Sequence, residues 1–392
     1  MAFLLRLKRF CGFLFGIVFF LSGLLKIMDP TGAGLVVKEY FDFLQIGFMA
    51  PASKFFGVAL ALAETLVGAA LICGVWRRTV GLAAIVMQTA FTIITAVLLI
   101  FNPEMDCGCF GEAIHLTHLE TFLKNIVLMV LILAYYFPKR HLGETTRRKY
   151  IAFGIVGTFS TAFLVYSLLY IPLVDFTAYK PRAELAIAAA EGGNDLYESV
   201  FTYEKDGLMK QFTLEELPSD LDEWTFVNTD TRFKGGVSDK FIELSLFDSK
   251  TQSYADTLAA YGKVMVISLY DNDIDSQTWL EIEYFAKNAD SCGIRPIVVT
   301  TDMARVPANL QGITYTSDYK TLISLNRSNG GMTYFDNGVL IKKWARRAAP
   351  DMDDLQSVAA NDPTETAIAY ESKGSLVFQG FLLFAFVVML LL

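Results

Sequence analysis

Cys107 and Cys109 stand one residue apart inside the stretch NPEMDCGCFGEAIHLTH, which runs from Asn102 to His118. Two of the chain's three histidines, His115 and His118, follow them, and Glu104, Asp106 and Glu112 are interleaved. Three chemistries suit this gathering. The first is a redox pair: cysteines two apart are bridged only through a tight turn, which the intervening Gly108 permits, and a strained bridge is easily reduced. The second is a metal site: C-x-C-x5-H-x2-H offers four ligands suited to zinc or copper, with His115 and His118 on one face of a helix. The third is structural, a static disulfide with the histidines capping or snorkelling at an interface. The acidic neighbours work against a thiolate and in favour of a cation.

Such a loop needs elements to carry it, and those flanking it are apolar. The chain is 53% hydrophobic and 19% charged over 392 residues. Its charge is divided: residues 1–172 hold 14 Lys+Arg against 9 Asp+Glu, the remainder 19 against 32. That split points to a membrane part followed by an acidic extramembrane domain, and the acidity disfavours nucleic acid as a partner, because phosphates would be repelled. Runs of about 20 apolar residues cross a bilayer core. Six are present, near 10–28, 54–75, 79–101, 119–137, 151–172 and 375–392. The first has the basic start of a signal peptide without a small-residue cleavage site, and is expected to remain as an anchor.

Positive residues crowd the start (Arg6, Lys8, Arg9), the second connection (Arg77, Arg78) and the fourth (Lys139, Arg140, Arg147, Arg148, Lys149), while the loop holding the two cysteines has none. Positive loops stay in the cytoplasm. The expectation is an inner-membrane protein with its N-terminus cytoplasmic, the Cys107–Cys109 loop and residues 174–374 periplasmic, and the last run returning to the bilayer. Glu64 falls mid-membrane in the second run, where a carboxylate is costly and must face the bundle interior. It is read as a protonated Glu64 hydrogen-bonded to a neighbouring helix, with a proton-handling or ligand-facing group as the alternative. Gly57, Gly68 and Gly74 are expected to let helices approach. Cys11 and Cys73 are read as apolar fillers at the cytoplasmic ends of their runs, on the wrong side to relay electrons to Cys107 or Cys109.

The stretches FFLSGLLKIMDP (19–30), AETLVGAALICGVWRR (63–78) and DCGCFGE (106–112) together resemble the DoxX-like membrane superfamily, and the last is similar to its MauE branch, the methylamine-utilisation membrane proteins. The resemblance covers about residues 8–140. It implies a four-helix membrane bundle, distantly similar to thiol oxidoreductases of the vitamin K epoxide reductase type, and an association with disulfide formation in a periplasmic partner. A fifth and a sixth span and a large extramembrane domain depart from that pattern, so the methylamine substrate is not carried over.

After the fifth run, Pro172 and Pro181 end the helical stretch. ESVFTYEKDGLMKQFTLEEL reads as a hairpin turning at Asp206-Gly207. Strand (263–270), helix (276–289), strand (294–301), short strand (312–316), helix (317–325), hairpin (330–345, turning at Asn337-Gly338) and helix (350–360) follow. This order resembles the thioredoxin fold. The chemistry does not: the loop where that family carries CxxC reads DNDIDSQ (271–277), and Gly330, Gly331 and Met332 stand where it carries a cis-proline. Asp271, Asp273 and Asp275 supply no thiolate, Asp275 or Ser276 caps the helix, and Cys292 is a packed lone thiol. A pseudo-thioredoxin domain that binds rather than reacts is expected.

The reading is therefore an α-helical polytopic membrane protein, a four-helix bundle (1–140) with a fifth span (141–173), a linker and hairpin region (174–262), a thioredoxin-like α/β domain without CxxC (263–374) and a C-terminal span (375–392). The expected function is thiol–disulfide exchange or maturation of an extracytoplasmic client through Cys107 and Cys109, with a quinone as a candidate electron acceptor. The alternatives are a non-enzymatic anchor or assembly subunit of an envelope complex, and metal handling by the Cys107, Cys109, His115, His118 loop.

Overall fold

The computed structural model describes residues 2–103, 105, 107–137, 145–186, 197–205, 208–213, 217–218, 224–233, 241–271 and 274–391. Glu104, Asp106, Lys139, Arg140, Asp273 and the expected turn at Asp206-Gly207 lie outside the described residues. The chain divides into two compact units: Met1–Thr177 with Ala345–Ala348 and Ala369–Leu392, and Ala178–Trp344 with Ala349–Ile368.

In the first unit, α1 (Ala2–Met28), α3 (Ser53–Cys73), α4 (Arg77–Phe101), α5 (His118–Tyr136), α6 (Arg147–Leu169) and the last helix α10 (Pro363–Leu391, of this unit from Ala369 on) are long and apolar enough to cross a bilayer. This is a multi-pass membrane protein. Each span matches one of the expected runs, although α10 starts at Pro363 rather than near 375, because a polar helical stretch precedes its apolar part. One further helix, α2 (Pro30–Phe43), is a finding the apolar-run criterion misses, being only 14 residues long and charged. Its start is dictated locally. Pro30 disfavours helical geometry at Asp29, which ends α1, and the Asp29 carboxylate then accepts from Gly32 N–H as the cap of α2.

Helix α1 is the central post. Phe20, Leu24, Ile27 and Met28 pack with Ala61 and Ala69 of α3, Val156 of α6 and Ala385 of α10. Phe15 and Phe19, with Leu71 of α3, meet Ala84 of α4 and Leu128 and Ile132 of α5. The α1–α3 contact is backbone-close: a Cβ on Gly68 would overlap Phe20 N and lie 2.8 Å from Gly16 O. A Cβ on Gly57 would lie 2.8 Å from the carbonyl of Ala33 of α2. Gly74 differs from the expectation: it caps the C-terminus of α3 at φ +70. Helices α6 and α10 run antiparallel, with Phe163 stacked on Phe381 and Phe159 against Phe384. The Lys149 ammonium at the start of α6 donates to Met389 O, in the last turn of α10.

Among the described residues, the second unit is built on a nine-stranded sheet. Its centre is β9 (Lys263–Leu269), parallel to β10 (Arg295–Thr300), which is parallel to β11 (Thr314–Thr316). On its other side β9 pairs antiparallel with β12 (Gly331–Asp336), and β12 with β13 (Val339–Trp344). The β12–β13 turn has Asn337 and Gly338 both at positive φ, as an Asn-Gly hairpin requires. Helices α7 (Ser276–Ser291), α8 (Tyr319–Leu325) and α9 (Met352–Ala360) cover the sheet, and the core gathers Ile267, Leu269, Ile282, Val298, Tyr334 and Leu355. Asp275 caps α7 by accepting from Thr278 N–H. The expected linker is part of this sheet: β2 (Glu184–Leu185) pairs with β13 and β6 (Phe241–Ile242), and β7 (Phe247–Asp248) joins β11 to β8 (Ser253–Tyr254). The expected hairpin is present as β3 (Tyr197–Lys205) and β4 (Leu208–Thr213), joined by β5 (Thr225–Phe233) in a separate three-stranded sheet.

Candidate functional site: a gripped cysteine loop over a buried ion pair

Ser22 and Lys26 lie four residues apart on α1 and so share a face. That face meets Glu64 of α3. The Lys26 ammonium is 2.7 Å from Glu64 Oε1 and 2.8 Å from Oε2. All three residues are buried, and Glu64 is 1% exposed. The Phe91 ring of α4 closes one side, 5.7 Å from Lys26 Nζ. A buried carboxylate is tolerable only when paired, which explains why Glu64 stands at that depth. The pairing partner was not apparent from the sequence: Lys26 sits 38 residues away, although it is the one cation inside the first run.

The cysteine loop lies on this face. Strand β1 (Cys109–Glu112) packs on α1 and α2. Ser22 Oγ is 2.6 Å from the Cys109 carbonyl oxygen and 2.8 Å from Glu64 Oε2. From α2, the Tyr40 hydroxyl donates to the Cys107 carbonyl at 2.7 Å. Burial, with the nearby Cys109 and Cys107 adding, pushes the Tyr40 phenol well above its ordinary range, so it stays protonated as a donor. Between the two gripped carbonyls, Gly108 takes φ +58, and a Cβ there would overlap the Val36 side chain. Gly111 N–H donates to Gly108 O and closes the turn. Cys107 is buried and Cys109 half-buried.

Gly108→Ala is therefore expected to lift the loop from α2. An L-residue at left-handed φ costs about 1–2 kcal/mol, and the overlap with Val36 adds to it. Faster alkylation of Cys107 in the variant is the readout, and an unchanged rate would contradict the packing described.

The four-ligand metal arrangement expected of Cys107, Cys109, His115 and His118 is not brought together. Among the described residues no three His, Cys, Asp or Glu side chains gather to hold a metal ion. The ring of His118 is turned to the loop's own ends, with Nδ1 3.1 Å from Asn102 Oδ1 and Nε2 3.0 Å from Met105 O. It opens α5 beside a capping box, in which Thr117 Oγ accepts from Glu120 N–H and the Glu120 carboxylate accepts from Thr117 N–H. The sequence signal for that box, T-x-x-E, was present in THLE. His115 is exposed on the loop. Cys11 lies eleven residues before Ser22 on α1, about 16 Å along the axis at 1.5 Å per residue, so it is remote from the loop. Cys73 ends α3 on that same far side.

In the second unit, the loop after β9 is closed by a side chain. Asn329 Oδ1 accepts from Tyr270 N–H and Asp271 N–H, and the Tyr270 hydroxyl donates to Arg327 O.

Residues 2–138 match the family described as methylamine utilisation protein MauE, and residues 197–235 match a domain of unknown function, DUF8463. No curated protein and no solved structure matches the chain.

Proposed function

We propose, for a membrane protein whose residues 2–138 match the MauE family, that Cys107 and Cys109 carry out thiol–disulfide exchange with an extracytoplasmic client protein. The observation that carries this reading is the two-sided grip. Hydroxyls from two different helices hold the carbonyls of two cysteines around a glycine whose backbone only glycine adopts freely. A loop that served only as a connection would not need both cysteines fixed.

In this reading Cys109, the more accessible of the two, acts first. Its thiolate attacks one sulfur of a client disulfide, forming a mixed disulfide and releasing the other client sulfur as a thiolate that takes up a proton. The Cys107 thiolate then attacks Cys109 Sγ, closing the Cys107–Cys109 bridge and releasing the second client sulfur. The client gains two electrons and the loop loses two. Run in reverse, the bridged loop oxidises a client dithiol. Holding the two backbone carbonyls on either side of Gly108 limits how far the two thiols can part, which raises the rate of the second step through effective concentration.

Loop charge supports placing this site on the periplasmic side of the inner membrane, with the N-terminus in the cytoplasm. The strand order β13-β12-β9-β10, with β9 and β10 parallel and the hairpin antiparallel, supports a thioredoxin-like reading of residues 263–360. With no cysteine in its β9–α7 loop and Asn329 closing that loop's start, its part is recognition of the client or of an envelope complex, not electron transfer.

The test is trapping. Cys107→Ser leaves Cys109 able to attack and nothing to resolve it, so a client is expected to accumulate as a mixed disulfide with Cys109. Cys109→Ser is expected to trap far less. Equal absence of trapped client from both variants, with both thiols of the wild type fully reduced in oxidising medium, would sink the proposal. Full activity of the double Cys→Ser variant alongside stoichiometric partners would favour an assembly role instead.

A further inference from the structure

We infer that the Lys26–Glu64 ion pair assigns the single proton of Ser22 to the Cys109 carbonyl, making Ser22 a positioning residue for Cys109; this rests on the exchange reading above. Ser22 Oγ has two neighbours that accept, the Cys109 carbonyl at 2.6 Å and Glu64 Oε2 at 2.8 Å. A hydroxyl has one proton to give. The two contacts therefore compete.

Lys26 decides the competition. An ammonium has three protons. Two are placed to serve the carboxylate, at 2.7 and 2.8 Å, and the same nitrogen is 3.4 Å from Ser22 Oγ, on the hydroxyl's acceptor side. With its charge met by Lys26, Glu64 leaves the Ser22 proton to the carbonyl. The ammonium beside Ser22 Oγ also polarises that O–H bond and strengthens the grip. Without Lys26, a buried carboxylate is a far stronger acceptor than a peptide carbonyl, because charge-assisted bonds are the strong ones. The Ser22 proton then turns to Glu64, and Cys109 loses its hold on α1 while Tyr40 still holds Cys107 on α2. The charged groups facing Ser22 are thus Lys26 from its own helix and Glu64 from α3, with Tyr40 as the neighbouring titratable group across the loop. A helix pair inside the membrane domain sets the geometry of the sulfur pair on its surface.

The experiment uses the full chain in detergent micelles, equilibrated in glutathione redox buffers, with the bridged fraction of Cys107 and Cys109 read by alkylation and mass. Ser22→Ala and Lys26→Met are each expected to make the bridge about tenfold less favourable to close, which for a two-electron couple is about 30 mV. Ser22→Thr, which keeps the hydroxyl, is expected to hold the wild-type potential. The decisive variant is Lys26→Met with Glu64→Gln. The neutral amide no longer claims the Ser22 proton and offers its own N–H to Ser22 Oγ, so the potential is expected to return close to wild type. A wild-type potential in Ser22→Ala, or a double variant as perturbed as Lys26→Met alone, overturns the inference while leaving exchange intact. A wild-type loop that never bridges at any glutathione ratio overturns the exchange reading itself, and this inference with it.

Discussion

Lys26→Met is expected to lower the stability of the membrane domain by about 3–5 kcal/mol, the loss seen when one partner of a buried ion pair is removed and the other is left uncompensated. The side chains of Lys26 and Glu64 are 10% and 1% exposed, so water does not replace the lost ammonium. Among the described residues Ser22 is at hand to solvate the carboxylate, through one proton. Replacing both partners, Lys26→Met with Glu64→Gln, is expected to recover most of the loss, since buried pairs exchanged for neutral groups of similar volume are often neutral or stabilising by about 1–4 kcal/mol. Unfolding in mixed micelles, followed by helical circular dichroism, measures both. A loss under about 1 kcal/mol for Lys26→Met would place the pair among water-exposed bridges, and the account of the site would fall with it.

Gly68→Leu is expected to be at least as damaging. A Cβ at Gly68 would overlap Phe20 N, with Phe20 Cα at 2.7 Å and Gly16 O at 2.8 Å. These are backbone atoms of α1, which no rotamer change moves. Overpacking a fitted interface costs about 1–3 kcal/mol even where side chains can shift, and here the helices must separate. Separation would also carry Ser22 and Lys26 away from Glu64, so loss of the loop's grip accompanies loss of stability. Gly154→Ala on α6 is the control, since a Cβ there meets nothing within 4 Å. It is expected to be neutral or to gain up to about 1 kcal/mol from helix propensity. Equal effects at the two positions would show that α1 and α3 do not meet as described.

What could be read from the chain follows from how local each cause is. The six spans were legible because a bilayer imposes a length and a composition on every crossing. The Asn337-Gly338 hairpin and the Asp275 cap were legible because turn and cap chemistry resides in a few adjacent residues. Helix α2 escaped that reading, yet its cause, the Asp29-Pro30 step, was also local and present in the motif FFLSGLLKIMDP. The ion pair was not local. Lys26 and Glu64 fell in two separate motifs that matched only loosely as family signatures, and nothing in either motif states that their side chains meet. The four-ligand gathering is not seen among the described residues for a related reason: spacing alone allowed His118 to face the cysteines, but the turn at Asn102 and Met105 takes up both of its ring nitrogens. Likewise Gly74 looked like a packing glycine by its place on a span, and only the left-handed end of α3 reveals its use.

The last helix is more than a terminal anchor. Its apolar face joins the same core as α1 and α6, through Ala385, Met389 and the contact of Phe386 with Phe20, and Lys149 fastens its final turn. Residues 178–344 are consequently a segment moored at both ends to one bundle. A segment held by the chain at both ends has fewer conformations open to it than one held at a single end.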